Sequence, residues 1–285
     1  MLQIIVLLFF SVIVLMVRKN VEPFVNIEPP KKPKIGIVSM IKNPKNIETW
    51  LEKHRTLGIS KFYIRLEDTP DVEKFLLAQP DVYVKSANST GVNEYTDIQR
   101  RQGDWVNEAV QMSKNEIEWI IHIDSDEILD GTLDGIYALP DDVHTFSMKN
   151  IEAVYDDIPT EEENCFRTEK FFKCAEPPYK CVSYANGKGG GRTKYATFHG
   201  PHRFQGQGKE VELTDLQVKH YESCDFNTYT NKFRQLAKKA KLEEIPFPYY
   251  KDSIKAANQE SDKALKCVFR KYRTEKNESL ECETV

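Results

Sequence analysis

Apolar runs and helically spaced apolar positions alternate over the first half of the chain. Residues 46–57 place apolar side chains on one helical face, and a second helical pattern centres on Trp105, Ala109 and Met112. The apolar runs predict four strands, a buried one at residues 34–40 and three more at 61–66, 81–87 and 119–123. This alternation predicts an α/β fold with a mostly parallel sheet and helices on both of its faces.

The pattern changes after Asp130. Residues 145–155 read as one more strand, and a stretch rich in Pro, Cys and Gly follows from about 156 to 210. Two helices are expected near the end, one capped by Asp225 and one over residues 252–272. The second half is therefore predicted to be mixed α+β.

The first residues predict a membrane anchor. Residues 2–17 are almost wholly apolar and are closed by Arg18 and Lys19. A cleaved signal peptide is the alternative, although no basic residue precedes the run and no small-residue cleavage site follows it. We expect an anchor at residues 1–19, a proline-rich stalk at 20–33, and a folded domain at 34–285.

The sequence does not decide on which side of the membrane the folded domain lies. The basic residues that follow the apolar run would keep the domain cytoplasmic by the positive-inside rule. Two possible glycosylation sites, at Asn88 and Asn277, point instead to an endomembrane lumen. The six cysteines impose no pairing and contain no CxxC motif, so a cysteine zinc site is not expected.

Composition narrows the class of protein. The chain has 285 residues, of which 40% are hydrophobic and 29% are charged, so it can build a large core and is not a disordered or collagen-like chain. The net charge of −4 is too near neutral to indicate a nucleic-acid-binding protein. Any affinity for phosphate must come from a local group of residues.

The candidate chemistry lies directly after the fourth predicted strand, in residues 124–127, which we call the acidic turn. It contains Asp124, Asp126 and Glu127, at the carboxyl end of a strand where open α/β sheets bind ligands. A divalent cation that bridges such carboxylates to a diphosphate would relieve their mutual repulsion. The alternative is an exposed turn whose aspartates cap the next helix.

Four ordered sequence blocks resemble glycosyltransferases of the GT-A fold, in particular the group related to families 2 and 92. The blocks are MIKNPKNIETWLEKHRTLGISKFYI, the helix from Gln99 to Met112 with Asn107, WIIHIDSDEIL, and HGPHRF followed by VKHYESCDFNTYTNKF. Together they span about residues 34 to 240. The resemblance implies a Rossmann-like nucleotide-sugar-binding half at 34–130 and an acceptor half at 131–285.

The resemblance also assigns candidate residues. It implies a nucleotide-sugar donor, a glycan or glycoconjugate acceptor, and Mn²⁺ or Mg²⁺ as cofactor. The catalytic candidates are Asp124, Asp126 and Glu127. The candidates for nucleotide-sugar binding are Lys42, Asn43, Glu67, Asp68, Gln99 and Asp124, and the alternative for Asn43 is a helix cap. The metal candidates are Asp124, Asp126, His220 and, second to it, His202.

Several alternatives remain open at this point. The base that activates the acceptor hydroxyl is expected among Glu127, Asp157, Glu176, Asp215 and Glu222. The stretch Gly187–Lys194 reads either as a mobile lid over the diphosphate or as a surface loop. Two other functions fit the residues: a degenerate, membrane-anchored carbohydrate-binding module, and a metal-dependent nucleotidyltransferase or phosphoesterase.

Overall fold

The fold is described from a computed structural model, which covers residues 32–89, 95–160, 163–173, 184, 186–238, 241–245 and 247–274. The predicted anchor and nearly all of the stalk lie outside these residues, as do Glu176 and Asn277. Within the covered ranges, no helix is both long and apolar enough to cross a bilayer. The anchor, the stalk and the division into two halves stay predictions.

The first half forms the predicted parallel sheet. In chain order the elements are β1 (Ile35–Ile41), α1 (Ile47–Leu57), β2 (Lys61–Glu67), α2 (Pro70–Leu77), β3 (Val82–Ala87), α3 (Tyr95–Ser113) and β4 (Trp119–His122). The strands lie in the order β3-β2-β1-β4, and every neighbouring pair is parallel. The alternation of strands and helices predicted from the apolar pattern is thus confirmed.

Helices cover both faces of this sheet, as predicted. On β1, Ile37 packs with Trp50 of α1 on one face, and the next residue, Val38, packs with Trp105 of α3 on the other. Successive strand residues point to opposite faces, so a strand buried on both sides needs a continuous apolar run. Met112, part of the pattern that predicted this helix, is 37% exposed near the end of α3.

The second half extends the same sheet with strands of both directions. The further elements are β5 (Glu127–Gly131), α4 (Asp134–Tyr137), β6 (Val143–Ala153), β7 (Phe171–Lys173), β8 (Lys188–Arg192), β9 (Thr197–Phe198), β10 (Phe204–Gln205), β11 (Lys209–His220), α5 (Phe226–Ala237), a 3₁₀ turn (Leu242–Glu244), α6 (Pro248–Asn258) and α7 (Asp262–Arg273). The strand order continues β4-β8-β6-β11-β5. Only the β6–β11 pair is parallel there, so this half is mixed.

The expectation of a lid or loop at Gly187–Lys194 is wrong. Lys188–Arg192 forms β8, a fully buried strand that is antiparallel to both β4 and β6. The glycines permit this position: a Cβ on Gly190 would lie 2.4 Å from the Phe146 ring and 2.9 Å from the Ile120 carbonyl oxygen. Such a run lacks the apolar side chains by which buried strands are recognised, so the pattern resembled a loop.

The last predicted helix is two helices. Residues 252–272 were expected to form one helix, but α6 ends at Asn258 and α7 begins at Asp262. Between them Glu260 has a positive φ of 52°, and the Ser261 side chain accepts a hydrogen bond from the Ala264 N–H as the cap of α7. The earlier helix is confirmed as α5, and the Asp225 side chain caps it as predicted.

Candidate functional site

The acidic turn lies at the sheet edge where the parallel strands end. One residue, Ile123, separates Asp124 from the end of β4, and Glu127 is the first residue of β5. Strands β1 and β2 end at the same edge because they run parallel to β4. Ligands of open α/β sheets bind at this edge, so the position agrees with the one predicted from the sequence.

Helix α1 holds the backbone that follows the turn. The Trp50 indole N–H donates to the Glu127 carbonyl oxygen at 2.8 Å, and His54 Nε2 accepts from the Leu129 N–H at 3.0 Å. His54 Nδ1 lies 2.7 Å from the Trp50 carbonyl oxygen, which assigns the neutral tautomer with the proton on Nδ1. Burial lowers the pKa of His54 to about 3, so the ring stays neutral.

A buried lysine from β8 contacts two carboxylates of the acidic turn. Lys188 Nζ is 2.5 Å from Asp124 Oδ2 and 3.2 Å from Glu127 Oε2, and its side chain is only 1% exposed. Burial favours the neutral acid of Asp124, but the Lys188 ammonium outweighs it and holds the pKa of Asp124 well below its usual range. Gln102 on α3 donates to the other Asp124 oxygen at 3.0 Å. Asp124 is therefore an ionised carboxylate with both oxygens engaged.

The second aspartate of the turn faces a histidine. Asp126 Oδ2 is 3.6 Å from His220 Nε2, and His220 Nδ1 is 3.0 Å from Glu152 Oε2. Burial opposes protonation of His220, but Glu152 and Asp126 raise its pKa well above the ordinary value. Metal-binding histidines are commonly oriented through one ring nitrogen by a carboxylate, as His220 is through Nδ1 by Glu152, and Nε2 can bind a cation only after it loses its proton.

The orienting carboxylate is itself fixed from the last helix. Arg273 at the end of α7 is fully buried, and its guanidinium lies 3.1 Å from Glu152 and donates to the Glu222 carbonyl oxygen at 2.7 Å. Asn150 donates to Glu152 at 3.1 Å. A buried carboxyl group needs partners for its polar atoms, and these contacts hold the Glu152 side chain beside His220.

Tyr184 connects the two parts of the site. Its hydroxyl donates to Glu127, and its ring lies 5.1 Å from the His220 ring and 4.8 Å from the His202 ring, measured between centroids. His202 Nδ1 is 2.9 Å from the Gly187 carbonyl oxygen, and burial lowers the pKa of His202 to about 4. Both predicted histidines therefore flank one tyrosine next to the acidic turn.

Some of the residues predicted to bind the nucleotide lie close together. Lys42 Nζ lies 2.7 Å from Asp68 Oδ2, and the Asn43 N–H donates to the Thr69 hydroxyl at 2.8 Å. These residues follow β1 and β2 at the same edge as the acidic turn. The Asn43 side chain makes no helix-capping bond, because α1 begins after Asn46.

Two other predicted nucleotide-binding residues lie differently. Glu67 is 2% exposed and is held between Arg101 and Arg65, each 2.9 Å from Oε1. These ion pairs give it a structural role within the sheet edge. Gln99 is half-buried on α3, one turn before the Gln102 that contacts Asp124. Binding of a nucleotide by either residue stays a prediction.

Four of the five candidate bases lie in the described ranges and separate clearly, while Glu176 lies outside these ranges. Asp215 accepts a hydrogen bond from the Gly135 N–H at 2.8 Å. The next residue, Leu216, pairs with Gly131, and Gly131 is at the opposite end of β5 from Glu127. Asp215 therefore lies away from the acidic turn. Asp157 is exposed beside Arg270. Glu222 is paired with Lys232 at 2.6 Å. Of the candidates in the described ranges, Glu127 is the one inside the turn.

Sequence reasoning missed four residues of this site, Gln102, Glu152, Tyr184 and Arg273, and considered Lys188 only as part of a mobile lid. Glu152 carried a usable signal, since it is the one acidic residue inside the apolar run predicted as a strand at 145–155. A charge in a buried strand needs a partner, and it therefore indicates an ion pair. The sequence does not show which cation supplies that partner.

The residues present fit a divalent cation held by few protein ligands. Asp126 and His220 offer two donors that face each other, whereas Asp124 is bound to Lys188. Among the described residues, no group of three or more His, Cys, Asp or Glu side chains is arranged to hold a metal. Mg²⁺ is commonly held by one or two carboxylates, with water and substrate phosphates as the remaining ligands.

Comparisons with known proteins leave the family open. No family model and no curated protein matches the sequence. Among the solved structures that align with part of the chain, three have TM-scores of 0.27 to 0.30. The Rv0371c protein of Mycobacterium tuberculosis aligns at TM-score 0.30 and 9% identity, over 42% of this chain and 67% of that one.

The second is a CMP:2-keto-3-deoxy-manno-octonic acid synthetase complexed with CTP, at TM-score 0.27 and 16% identity, over 41% of this chain and about half, 53%, of the synthetase. The third is HddC of Yersinia pseudotuberculosis, at TM-score 0.27 and 8% identity, over 67% of this chain and 78% of that one. None reaches a TM-score of 0.5, so none bears on activity.

Proposed function

We propose that this protein is a glycosyltransferase that moves a sugar from a nucleotide-sugar donor to a hydroxyl of a glycan or glycoconjugate. One observation carries the proposal: Asp126 and the Glu152-oriented His220 face each other at the edge where the parallel strands end. That edge suits a nucleotide, and that pair suits a cation bound to the nucleotide's diphosphate.

Asp126 and His220 would hold Mn²⁺ or Mg²⁺ together with the donor diphosphate. The cation, when bound, supplies positive charge to the departing nucleoside diphosphate. Lys188 keeps Asp124 ionised and prevents repulsion between Asp124 and Glu127. Lys42 and Asp68, at the ends of β1 and β2, would line the nucleotide side.

Glu127 is the proposed general base. Burial raises the pKa of its carboxyl, and the negative charge of Asp124 adds to this effect, while Lys188 opposes it. A raised pKa brings a carboxylate closer to the value at which it accepts a proton efficiently near neutral pH. The hydrogen bond from Tyr184 fixes the direction of the carboxylate.

Exchange of one carboxylate tests the proposal. The full-length protein is incubated with nucleotide sugars, candidate acceptors and Mn²⁺, and released nucleoside diphosphate is measured. Asp126→Asn should lower transfer at least about 100-fold without changing the unfolding midpoint, because removal of one charge-stabilising group has an effect of this size. Asp104→Asn, at a 67% exposed side chain on α3, is the matched control and should leave transfer unchanged.

Other products would point to the other functions. Release of pyrophosphate from a nucleoside triphosphate and a sugar acid or sugar phosphate would indicate a nucleotidyltransferase. Glycan binding without turnover of any donor would indicate a binding module. Either result, or full transfer by the Asp126→Asn variant, would overturn the glycosyltransferase proposal.

We further propose that the domain works in an oxidising compartment such as the endomembrane lumen. Cys165 and Cys224 form a disulfide, and Cys267 is also disulfide-bonded. Structural disulfides persist in the secretory pathway and are rare in the cytosol. Asn88 is exposed, as a glycan acceptor on the lumenal side must be. The membrane anchor over residues 2–17 remains part of the proposal.

A further inference from the structure

An open cavity lies in the second half of the chain, outside the acidic turn. Its volume is about 540 Å³, and it is bordered by the segment after β6, the first turn of α5 and one face of α7. We call it the α7 cavity; its principal lining residues are Asp157, Pro159, Phe226, Asn227, Lys266 and Arg270. Sites for small ligands commonly have volumes of about 300–1,000 Å³, so this cavity is large enough for a sugar residue.

The charge of the α7 cavity favours an anion. Lys266 and Arg270 stand four residues apart on one face of α7, and two like charges at that spacing repel each other. Arg270 Nε lies 3.5 Å from Asp157, which compensates one of the two cations. Lys266 Nζ lies 5.5 Å from the Phe226 ring centroid, and within the described ranges it has no carboxylate partner. The cavity therefore keeps one positive charge for a ligand.

The other lining groups are those of a site for a hydroxylated ring. Phe226 and Pro159 form an apolar wall, and the exposed Asn227 amide can both donate and accept hydrogen bonds. A simple inorganic anion would make no use of the apolar wall. A ligand with a carboxylate on a partly apolar, hydroxyl-bearing ring would use all of these groups.

The cavity is preformed and joined to the acidic turn. The Phe226 N–H donates to the Pro159 carbonyl oxygen at 3.2 Å, and Asp225 caps α5 and lies 3.6 Å from Lys45. The Tyr221 N–H donates to the Asp126 carbonyl oxygen at 2.8 Å. Phe226 follows Tyr221 by five positions, so their Cα atoms are at most about 18 Å apart. This short segment links the acidic turn to the cavity along the chain.

We infer that the α7 cavity binds an acidic sugar residue of the acceptor, with its carboxylate between Lys266 and Arg270 and its ring against Phe226. The assignment of this sugar to the acceptor rests on the proposed glycosyltransferase activity. The binding itself does not depend on that activity. Asp157, 3.5 Å from Arg270 Nε, holds the guanidinium in position.

The test measures binding without turnover. Full-length protein is titrated with 4-nitrophenyl glucuronide, with 4-nitrophenyl glucoside as the neutral probe and inorganic phosphate as the anion probe, and Kd is measured by ligand-observed NMR. The glucuronide should bind at least about tenfold more tightly than the glucoside, the difference expected for one charge-assisted hydrogen bond. Lys266→Gln and Arg270→Gln should each remove most of that preference.

A matched control lies on the same helix. Lys271→Gln removes a cation of α7 that pairs with Asp252 at 3.1 Å, and it should leave glucuronide binding unchanged. Equal binding of glucuronide and glucoside, or unchanged glucuronide binding by both cavity variants, would overturn the inference. Phosphate that binds as tightly as the glucuronide would show an anion site with no role for the sugar, which also overturns it.

The two proposals can fail separately. Donor turnover and its loss in Asp126→Asn report on the acidic turn, whereas glucuronide binding reports on the α7 cavity. Selective glucuronide binding in a protein that turns over no donor would retain the cavity assignment and reject the glycosyltransferase. Donor turnover without a preference for the glucuronide would support the glycosyltransferase and reject the cavity assignment.

Discussion

Single charged residues decide the state of the acidic turn. Asp124 and Glu127 are close enough to repel each other, and the Lys188 ammonium lies within 3.2 Å of both. Breaking a buried ion pair by removing one partner typically costs about 3–5 kcal/mol, because the remaining charges are left without compensation. The lysine therefore supports both the folded state and the ionised form of Asp124.

Removal of this ammonium should destabilise the protein. Lys188→Met should lower the free energy of unfolding by about 3–5 kcal/mol, measured by urea denaturation at pH 7. Lys194→Met, the same exchange at an exposed residue, should change it by no more than about 0.5 kcal/mol. Equal stability of the two variants would show that Lys188 does not compensate the turn.

His54 makes stability depend on pH. Its folded pKa of about 3 lies below the ordinary value of 6.5, so between these values the unfolded chain binds the additional proton. Stability should therefore fall as the pH drops from 6.5 towards 3, by up to about 1.4 kcal/mol per pH unit from this residue. Burial lowers the pKa of His122 to about 3 and that of His202 to about 4, so both act in the same direction.

Replacing His54 should remove only the part of the pH dependence of stability that this residue contributes. Urea denaturation of His54→Gln between pH 7 and pH 4.5 should show a shallower dependence than the wild type, by about one proton's equivalent. An unchanged slope would mean that His54 is protonated in the folded protein. The NMR shifts of the His54 ring, followed over the same range, would show this directly.

At the scale of elements, the position of β8 determines how the two halves of the sheet are connected. It joins β4 of the parallel half to β6 of the mixed half and carries Lys188 into the acidic turn. Its glycines allow this close approach, since a Cβ on Gly190 would overlap the Phe146 ring. Helix α7 contributes in a similar way, because Arg273 at its end orients Glu152 and through it His220.

The close packing of β8 can be tested with one methyl group. Gly190→Ala should lower the free energy of unfolding by about 1–3 kcal/mol, the usual effect of overpacking a core. Gly103→Ala is the control: its Cβ would lie 4.0 Å from Phe198, in ordinary contact, and a helical glycine gains about 0.5–1 kcal/mol on exchange for alanine. Thermal unfolding of both variants gives the comparison, and a neutral Gly190→Ala would contradict it.

At the scale of the whole molecule, the disulfides bear on the compartment that we propose for the protein. The Cys165–Cys224 bond joins the segment after β6 to the start of α5, next to the α7 cavity, and closes a separation of 59 residues. A bond of this kind typically contributes about 2–4 kcal/mol to stability. The domain should therefore be most stable in an oxidising compartment.

The redox state of the cysteines tests the compartment. In full-length protein from cells lysed with a maleimide reagent, Cys165 and Cys224 should resist labelling until a reductant is added. Mass spectrometry should find a glycan on Asn88, and Asn88→Gln should remove the corresponding mobility shift. Two freely labelled cysteines and an unmodified Asn88 would place the domain in a reducing compartment and contradict the proposal.

The local sequence was sufficient for the parallel half and for the position of the acidic turn. Strands such as Ile35–Ile41 are apolar at every position but Ser39, and the capping residue Asp225 is visible before α5. These are short-range signals: they depend on the residues within one element and on its immediate ends. The edge where parallel strands end follows from their common direction, so the turn after β4 could be located without coordinates.

Only the tertiary structure decided which charges meet. Lys188 lies 64 residues from Asp124, and Arg273 lies 121 residues from Glu152. Such pairs form because the sheet order β4-β8-β6-β11 brings distant strands side by side, and periodicity within a strand carries no record of that order. The glycines of β8 also lack any apolar pattern, so a central strand looked like a loop. Local patterning thus determined the elements, while long-range strand pairing determined the site.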